Sequence, residues 1–358
     1  MTATSGRRHD QHGAVRRAWI VGIATAAVAA AALAVAGAGS AGAAPTHDDF
    51  AVYGENGVHI GYGTKVTGLV GARADRTARP YPHASISLAG TSKVFGEVRA
   101  GQNVEMANNT AIDGDLTYAG SLAQPRTARI TGSATKVGSA AAAGLPAGPI
   151  PSQWPDAAVH CATDHTPDRS EANGATIDLA PGTYGTITAG TNTRLNFLAP
   201  GDYYLDRLQA GNVTISYPAG VRLFVCDKVQ LAAILNDMPA DPIYTEVAAF
   251  RPDTDGHGFE VANGPWKGDV VVPTAGMHYG TGSSERAAFR GRVWAEHVDL
   301  EHNVDAEGPA TTTTSTSTST TTSTTTSTTT IPPSTTSTTV TIPPPDTTST
   351  TTVTTIPT

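Results

Sequence analysis

Val94-Phe95-Gly96-Glu97-Val98-Arg99-Ala100, with Val104-Glu105-Met106 close behind it, is the stretch that decides the fold. Apolar residues occupy alternate positions, the period of a strand and not of a helix. The stretch recurs on both sides. Val66-x-Gly68-x-Val70-x-Ala72 precedes it, and Ile112-x-Gly114-x-Leu116 follows it with Ala119 near the end of the copy. Each copy is introduced by an apolar pair at the same distance upstream: Val58-x-Ile60, Ile86-x-Leu88 and Val104-x-Met106. The step from Ile86 to Val104 sets a repeat of roughly 18 residues. The step from Val58 to Ile86 is longer, and a polar insertion at 73–82 accounts for the surplus. A weaker fourth copy runs from Ala128 through Ile130 to Val137-Gly138.

No single copy is long enough to bury its apolar face. Stacked on the next, the same positions form a continuous apolar column. A period of about 18 residues suits one coil of three short strands and three turns. The recurring glycine marks a corner that needs unusual backbone angles or close backbone approach.

The second half keeps the beat with other punctuation. Leu179-Ala180-Pro181-Gly182-Thr183-Tyr184 and Leu198-Ala199-Pro200-Gly201-Asp202-Tyr203 stand one such period apart, and Pro218-Ala219-Gly220 follows Pro200 at nearly the same interval. Near the end, Phe289-x-Gly291-x-Val293-x-Ala295 and Val298-x-Leu300 return to the first signature. Prolines 146, 149, 151 and 155 exclude regular pairing around 144–155, and the two halves are expected to meet at this seam. Residues 232–285, with Pro239, Pro242, Pro252 and Pro273, read as a capping segment or long loops. Two β-sandwiches are the alternative, but they give no reason for a motif shared by 94–106 and 289–300. The fold expected is all-β: a β-solenoid of about 18-residue coils. Its parts are a signal peptide (1–43), a first solenoid half (44–140), a Pro-rich seam (141–172), a second half (173–308) and a Thr/Ser/Pro stalk (309–358).

These alternations, the Leu-Ala-Pro-Gly-[Thr/Asp]-Tyr turns and the closing Phe-x-Gly-x-Val-x-Ala resemble the uncharacterised β-solenoid domains of bacterial exported surface proteins. More distantly they are similar to bactofilin-type polymer-forming repeats. The resemblance covers about 50–305. It implies a right-handed parallel β-helix with a scaffolding, assembly or display role, and it brings no catalytic residues with it.

Both ends read as export and display. Arg7, Arg8, Arg16 and Arg17 precede an Ala/Val/Leu-rich stretch over 18–39, and Ala41-Gly42-Ala43 follows, the three parts of a secretory signal peptide. An uncleaved stretch of that length is also long enough to be a membrane anchor. From residue 310 the chain is nearly all Thr and Ser, broken by Ile-Pro-Pro runs. Such a tract has too little apolar surface to offset the entropy of ordering and reads as a solvated stalk. Residues 1–43 hold four of the 23 basic and one of the 31 acidic residues, so the remainder carries 19 against 30, a net of −11. That balance disfavours nucleic acid and anionic membrane as partners. Cys161 and Cys226 are the only cysteines. In an exported chain they are expected to form one disulfide, with two buried thiols as the alternative.

Candidate chemistry is thin. His160, Cys161, Asp164 and His165 are the densest group of metal-ligand types, but a zinc site usually needs a second group at set spacing. Asp253-x-Asp255-Gly256 opens like a calcium loop, yet Gly264 stands where the bidentate Glu belongs. His297 and Glu301 fall on one face of the last strand and His302 on the other, so they are not expected to converge. Asp113 and Asp115 share a strand face, as paired catalytic carboxylates would, but also flank a corner glycine. Other acids are scattered: Glu97, Glu105, Asp202, Asp206 and Asp227. Thr64, Ser92 and Thr110 occupy one place in three copies, a weak hint of an ice-binding ladder joined by Thr186-x-Thr188 and Thr191-x-Thr193. Tyr184, Tyr203 and Tyr204 suggest either a sugar-stacking strip or corner packing. The expectation is a secreted or wall-associated, non-catalytic scaffold or adhesin without cofactor or metal. Its partners would be cell wall, extracellular glycan or copies of itself. An ice- or carbohydrate-binding solenoid is the alternative, and a polysaccharide-cleaving β-helix a more distant one.

Overall fold

A computed structural model describes residues 46–74, 84–154, 156–236, 238–249, 256–280 and 287–309. The signal peptide, the tail past 309, residues 75–82 of the insertion and Asp253 to Asp255 lie outside the described residues. The described chain is a β-solenoid of parallel strands with about eleven turns spaced about 21 residues apart.

One turn shows why the sequence coils. Phe50–Gly54, Val58–Ile60 and Lys65–Thr67 are its three strands, one on each face. Leu69–Ala72, Ile86–Leu88 and Lys93–Phe95 form the next turn, each strand lying on its counterpart. Alternation sends Val58, Ile60, Ile86, Leu88, Val104 and Met106 inward, where all are buried. At the corner between the third and first faces a glycine recurs in successive turns. Gly68, Gly96 and Gly291 have φ of 123°, 150° and 148°. A methyl group on Gly96 would collide with the Gly68 carbonyl, and one on Gly291 with the Gly268 carbonyl. Only glycine lets the turns close to strand spacing there.

The order of turns in space differs from their order in the chain. Val52 pairs with Val70 on one side and Val293 on the other. Val58 lies between Ile86 and Val298, and Val66 between Val94 and Ala306. On all three faces the last turn of the chain stacks on its first. The first half then runs outward to Ala134–Lys136 at one end of the rod. The second half starts at the other end, with Arg169–Glu171, and winds back to the middle. The halves therefore join through 293–307 and 50–67, and not at the proline seam.

The seam instead straps the outside of the first face. Eleven turns at roughly 4.8 Å each make a rod about 50 Å long, and residues 137–168 connect its far ends. Leu145 and Ile150 pack on Phe50, Tyr53, Val271 and Trp294. Trp154 packs on Tyr204 and Phe224. Arg99 donates to the Gly144 carbonyl at 3.0 Å, and Glu246 accepts from the Gln153 amide at 2.9 Å. The Cys161–Cys226 disulfide is present, with a Cα separation of 5.4 Å, and pins the strap to the rod. Prolines suit a strap because it uses side-chain contacts and needs no ladder.

The described residues of 232–285 do not form a cap. Tyr244–Val247, His257–Val261, Pro265–Lys267 and Val270–Tyr279 are strands that continue the stack. The described prolines are absorbed locally: Pro273 sits where the register shifts between Val272 and Gly276, and Pro239 and Pro242 lie between strands; Pro252 lies outside the described residues.

Candidate functional site

The second face carries an unbroken outward column of polar residues. In register order it runs Thr188, Gln209, Gln230, Glu260, His278, Asp299, His59, Ser87, Glu105. Near the start of the second half it borders an open groove of about 520 Å³ lined by Gln209, Gln230 and Glu260 over alanine and glycine. Toward the middle of the rod the column condenses into histidines and carboxylates. Lys228 meets Glu260 at 2.8 Å. His278 meets Glu301 at 3.3 Å, and His257 meets Asp299 at 3.4 Å. The His257 ring lies 4.8 Å from that of His278 and 5.4 Å from that of His297.

Local sequence explains this density. His257, Gly276 and His297 are register neighbours on three successive turns. A methyl group on Gly276 would occupy the place of the His297 imidazole. The glycine lets that ring lie across the middle turn toward His257. His297 and Asp299 are two apart on one strand, so both point outward. Asp299 is 2% exposed and His297 7%. Burial works against charge on His278, but the Glu301 carboxylate, with Asp299 and Glu260 behind it, holds its imidazole above the ordinary histidine range. One His257 nitrogen, one His297 nitrogen and one Asp299 oxygen lie within 4.8 Å of one another, a donor set suited to a metal ion.

Sequence reasoning did not bring these residues together. It kept His302 apart from Glu301, whereas His302 Nδ1 lies 3.5 Å from one oxygen of the Glu301 carboxylate whose other oxygen serves His278. Alternation stops at Leu300, and Asn303 with φ 58° turns the chain.

The other candidates have local duties. His160 stacks on Tyr204 at 4.9 Å, Cys161 is in the disulfide, and His165 Nδ1 lies 2.6 Å from Asp206. Cys226 adjoins that His165–Asp206 pair, but a disulfide sulfur is no thiolate ligand. Asp115 accepts the Ser133 amide at 2.7 Å and its hydroxyl at 2.9 Å, while Asp113 faces Arg129 at 3.4 Å. Glu97 pairs with Arg99, Asp202 with Arg222 and Asp227 with Arg207; Glu105 is exposed in the polar column. Thr64, Ser92 and Thr110 are buried, and Ser92 and Thr110 each donate to a carbonyl three residues back, at 2.6 and 2.9 Å. That column turns inward and closes corners. Tyr184 and Tyr203 do the same at the Pro-Gly turns, donating to Ala180 and Ala199 at 2.8 and 2.7 Å. Tyr204 lies beneath Trp154 and His160. A larger recess of about 720 Å³ has Arg222, Arg290 and Arg292 at its wall. These are paired with Asp202, Glu307 and Asp269, and read as struts of the rod.

No protein-family model matches the chain, and no curated protein matches it. Among solved structures it is similar to an ice binding protein from an Antarctic biological consortium. The identity is 11% over 74% of this chain and 89% of that one, with a TM-score of 0.30. A second similarity, at 13% identity and a TM-score of 0.15, is to an ice binding protein from an Antarctic Flavobacteriaceae bacterium, covering 74% of this chain and 99% of that one.

Proposed function

We propose that the chain is an exported, non-catalytic structural module, displayed on its Thr/Ser/Pro tail at the cell surface and working as a scaffold. The observation that carries this is the state of the two ends of the rod. Ala134–Lys136 and Arg169–Glu171 are fully exposed strands, and among the described residues each pairs with one neighbour only. A parallel stack has complementary edges at its two ends, so a second copy whose end strand lies roughly 4.8 Å beyond the first copy's end strand continues the stack. Such a head-to-tail contact does not close and builds a filament. The disulfide fits an oxidising compartment. No helix among the described residues is long and apolar enough to cross a membrane.

Electron microscopy of the purified domain over a range of concentrations tests the reading. Filaments one solenoid wide are expected, and Lys136→Pro, which removes a donor facing the free edge, shortens them. A chain that stays monomeric throughout overturns the scaffold reading. Glycan retention by that monomer would mark an adhesin, thermal hysteresis an ice-binding protein, and product release from a polysaccharide an enzyme.

A further inference from the structure

We propose that His257, His297 and Asp299 form a site for one divalent transition-metal ion of the zinc class, which clamps neighbouring turns of the solenoid. The three side chains come from two strands, His257–Val261 and Val293–Leu300, separated by the strand Val270–Tyr279. An ion held by them ties the first to the third of three successive turns, the third being the turn that stacks on the first half.

Three features argue for an ion. The donor atoms already lie within 4.8 Å of one another. A zinc ion with bonds of about 2.0–2.2 Å wants them roughly 3.4 Å apart, the present separation of His257 Nε2 from Asp299 Oδ2. A small side-chain rotation closes the remainder. Next, Gly276 is the cradle: its missing Cβ lets the His297 ring reach across a turn, an arrangement that packing alone does not call for. Finally, a carboxylate 2% exposed beside two imidazoles suits a cation better than water, and burial strengthens the attraction. His278, with its ring 4.8 Å from that of His257 and held by Glu301, is placed to support the ligands from outside.

The donor set selects the class of ion. Two imidazoles and one carboxylate suit zinc, copper, nickel or cobalt, whereas calcium and magnesium take oxygen ligands. Three protein ligands leave a coordination position for water or a side chain of another molecule.

The test uses the purified protein without a polyhistidine tag, stripped with chelator and titrated with Zn²⁺ by calorimetry. One ion per chain is expected, with little competition from Ca²⁺ or Mg²⁺. His257→Gln, His297→Gln and Asp299→Asn should each weaken binding by more than the roughly 10- to 100-fold that loss of an outer-shell partner costs, while His165→Gln leaves it unchanged. Histidine modification by diethylpyrocarbonate, mapped by mass spectrometry on the unaltered protein, avoids reliance on folded variants. Zn²⁺ should protect His257 and His297 and leave the reactivity of His165 unchanged. Absence of that protection, or zinc binding undiminished in the three variants, overturns the proposal.

Discussion

Replacing Trp154 by Ala removes the strap's main anchor. The side chain is 4% exposed, with its ring centroid 5.4 Å from Phe224, 5.8 Å from Tyr204 and 6.0 Å from His160. Truncating a buried Trp costs about 3–5 kcal/mol. Its indole N–H is buried without a hydrogen-bond partner among the described residues, which offsets part of the gain and puts the expected loss near about 3 kcal/mol. At a urea slope of about 3 kcal/mol/M the midpoint then falls by about 1 M. Far-UV circular dichroism follows the rod, and limited proteolysis around 140–160 follows the strap. Leu198→Ala, at 59% exposure, is the control and should move the midpoint little. The disulfide closes a loop with a sequence separation of 65, worth roughly 4 kcal/mol in the chain-entropy model. Both features hold the same end of the strap, so losing both should cost less than their separate losses combined. A Trp154→Ala protein as stable as the Leu198→Ala control, with its strap no more cleavable, would refute the packing argument.

Gly96→Ala should destabilise by about 2–3 kcal/mol, because φ of 150° and the adjacent Gly68 carbonyl both exclude a methyl group; a midpoint shift below that of an exposed alanine substitution would contradict this. Thr110→Val keeps the shape but leaves the Ala107 carbonyl without its corner donor, a loss of about 1–3 kcal/mol in the same assay. Cys161→Ser with Cys226→Ser should lower the urea midpoint while retaining the β spectrum, since the disulfide ties the strap to one turn and joins no turn to another; a loss of β structure would show that the strap is needed to form the rod.

The coil was legible because its evidence is local. Val94 to Met106 and its copies set the strand period, the three-strand turn and the glycine corner. The order of turns was not, because it rests on partners such as Val66 and Ala306, from opposite ends of the solenoid sequence, that no spacing rule connects. The strap was readable as non-strand from its prolines, yet the role of Leu145, Ile150 and Trp154 depends on the aromatic residues that the first face turns outward. The histidine cluster was hidden for a similar reason. Between the register partners Val229 and Phe259 the turn is far longer than the repeat, so His257 loses step with the motif. Asp299 and His59 did sit at matching places in Val298-x-Leu300 and Val58-x-Ile60, a signal usable only once those two strands are known to be neighbours.

A cross-link gives the sharpest test that the last turn of the chain stacks on its first. Thr67 and Glu307 are exposed register partners on the third face, and adjacent parallel strands put their Cα atoms at roughly 4.8 Å, within disulfide range. A protein carrying Thr67→Cys and Glu307→Cys should form that bond within one molecule on mild oxidation, as read by peptide mapping, while Thr67→Cys with Asn196→Cys should not. Free thiols, or bonds found only between molecules, would contradict the junction.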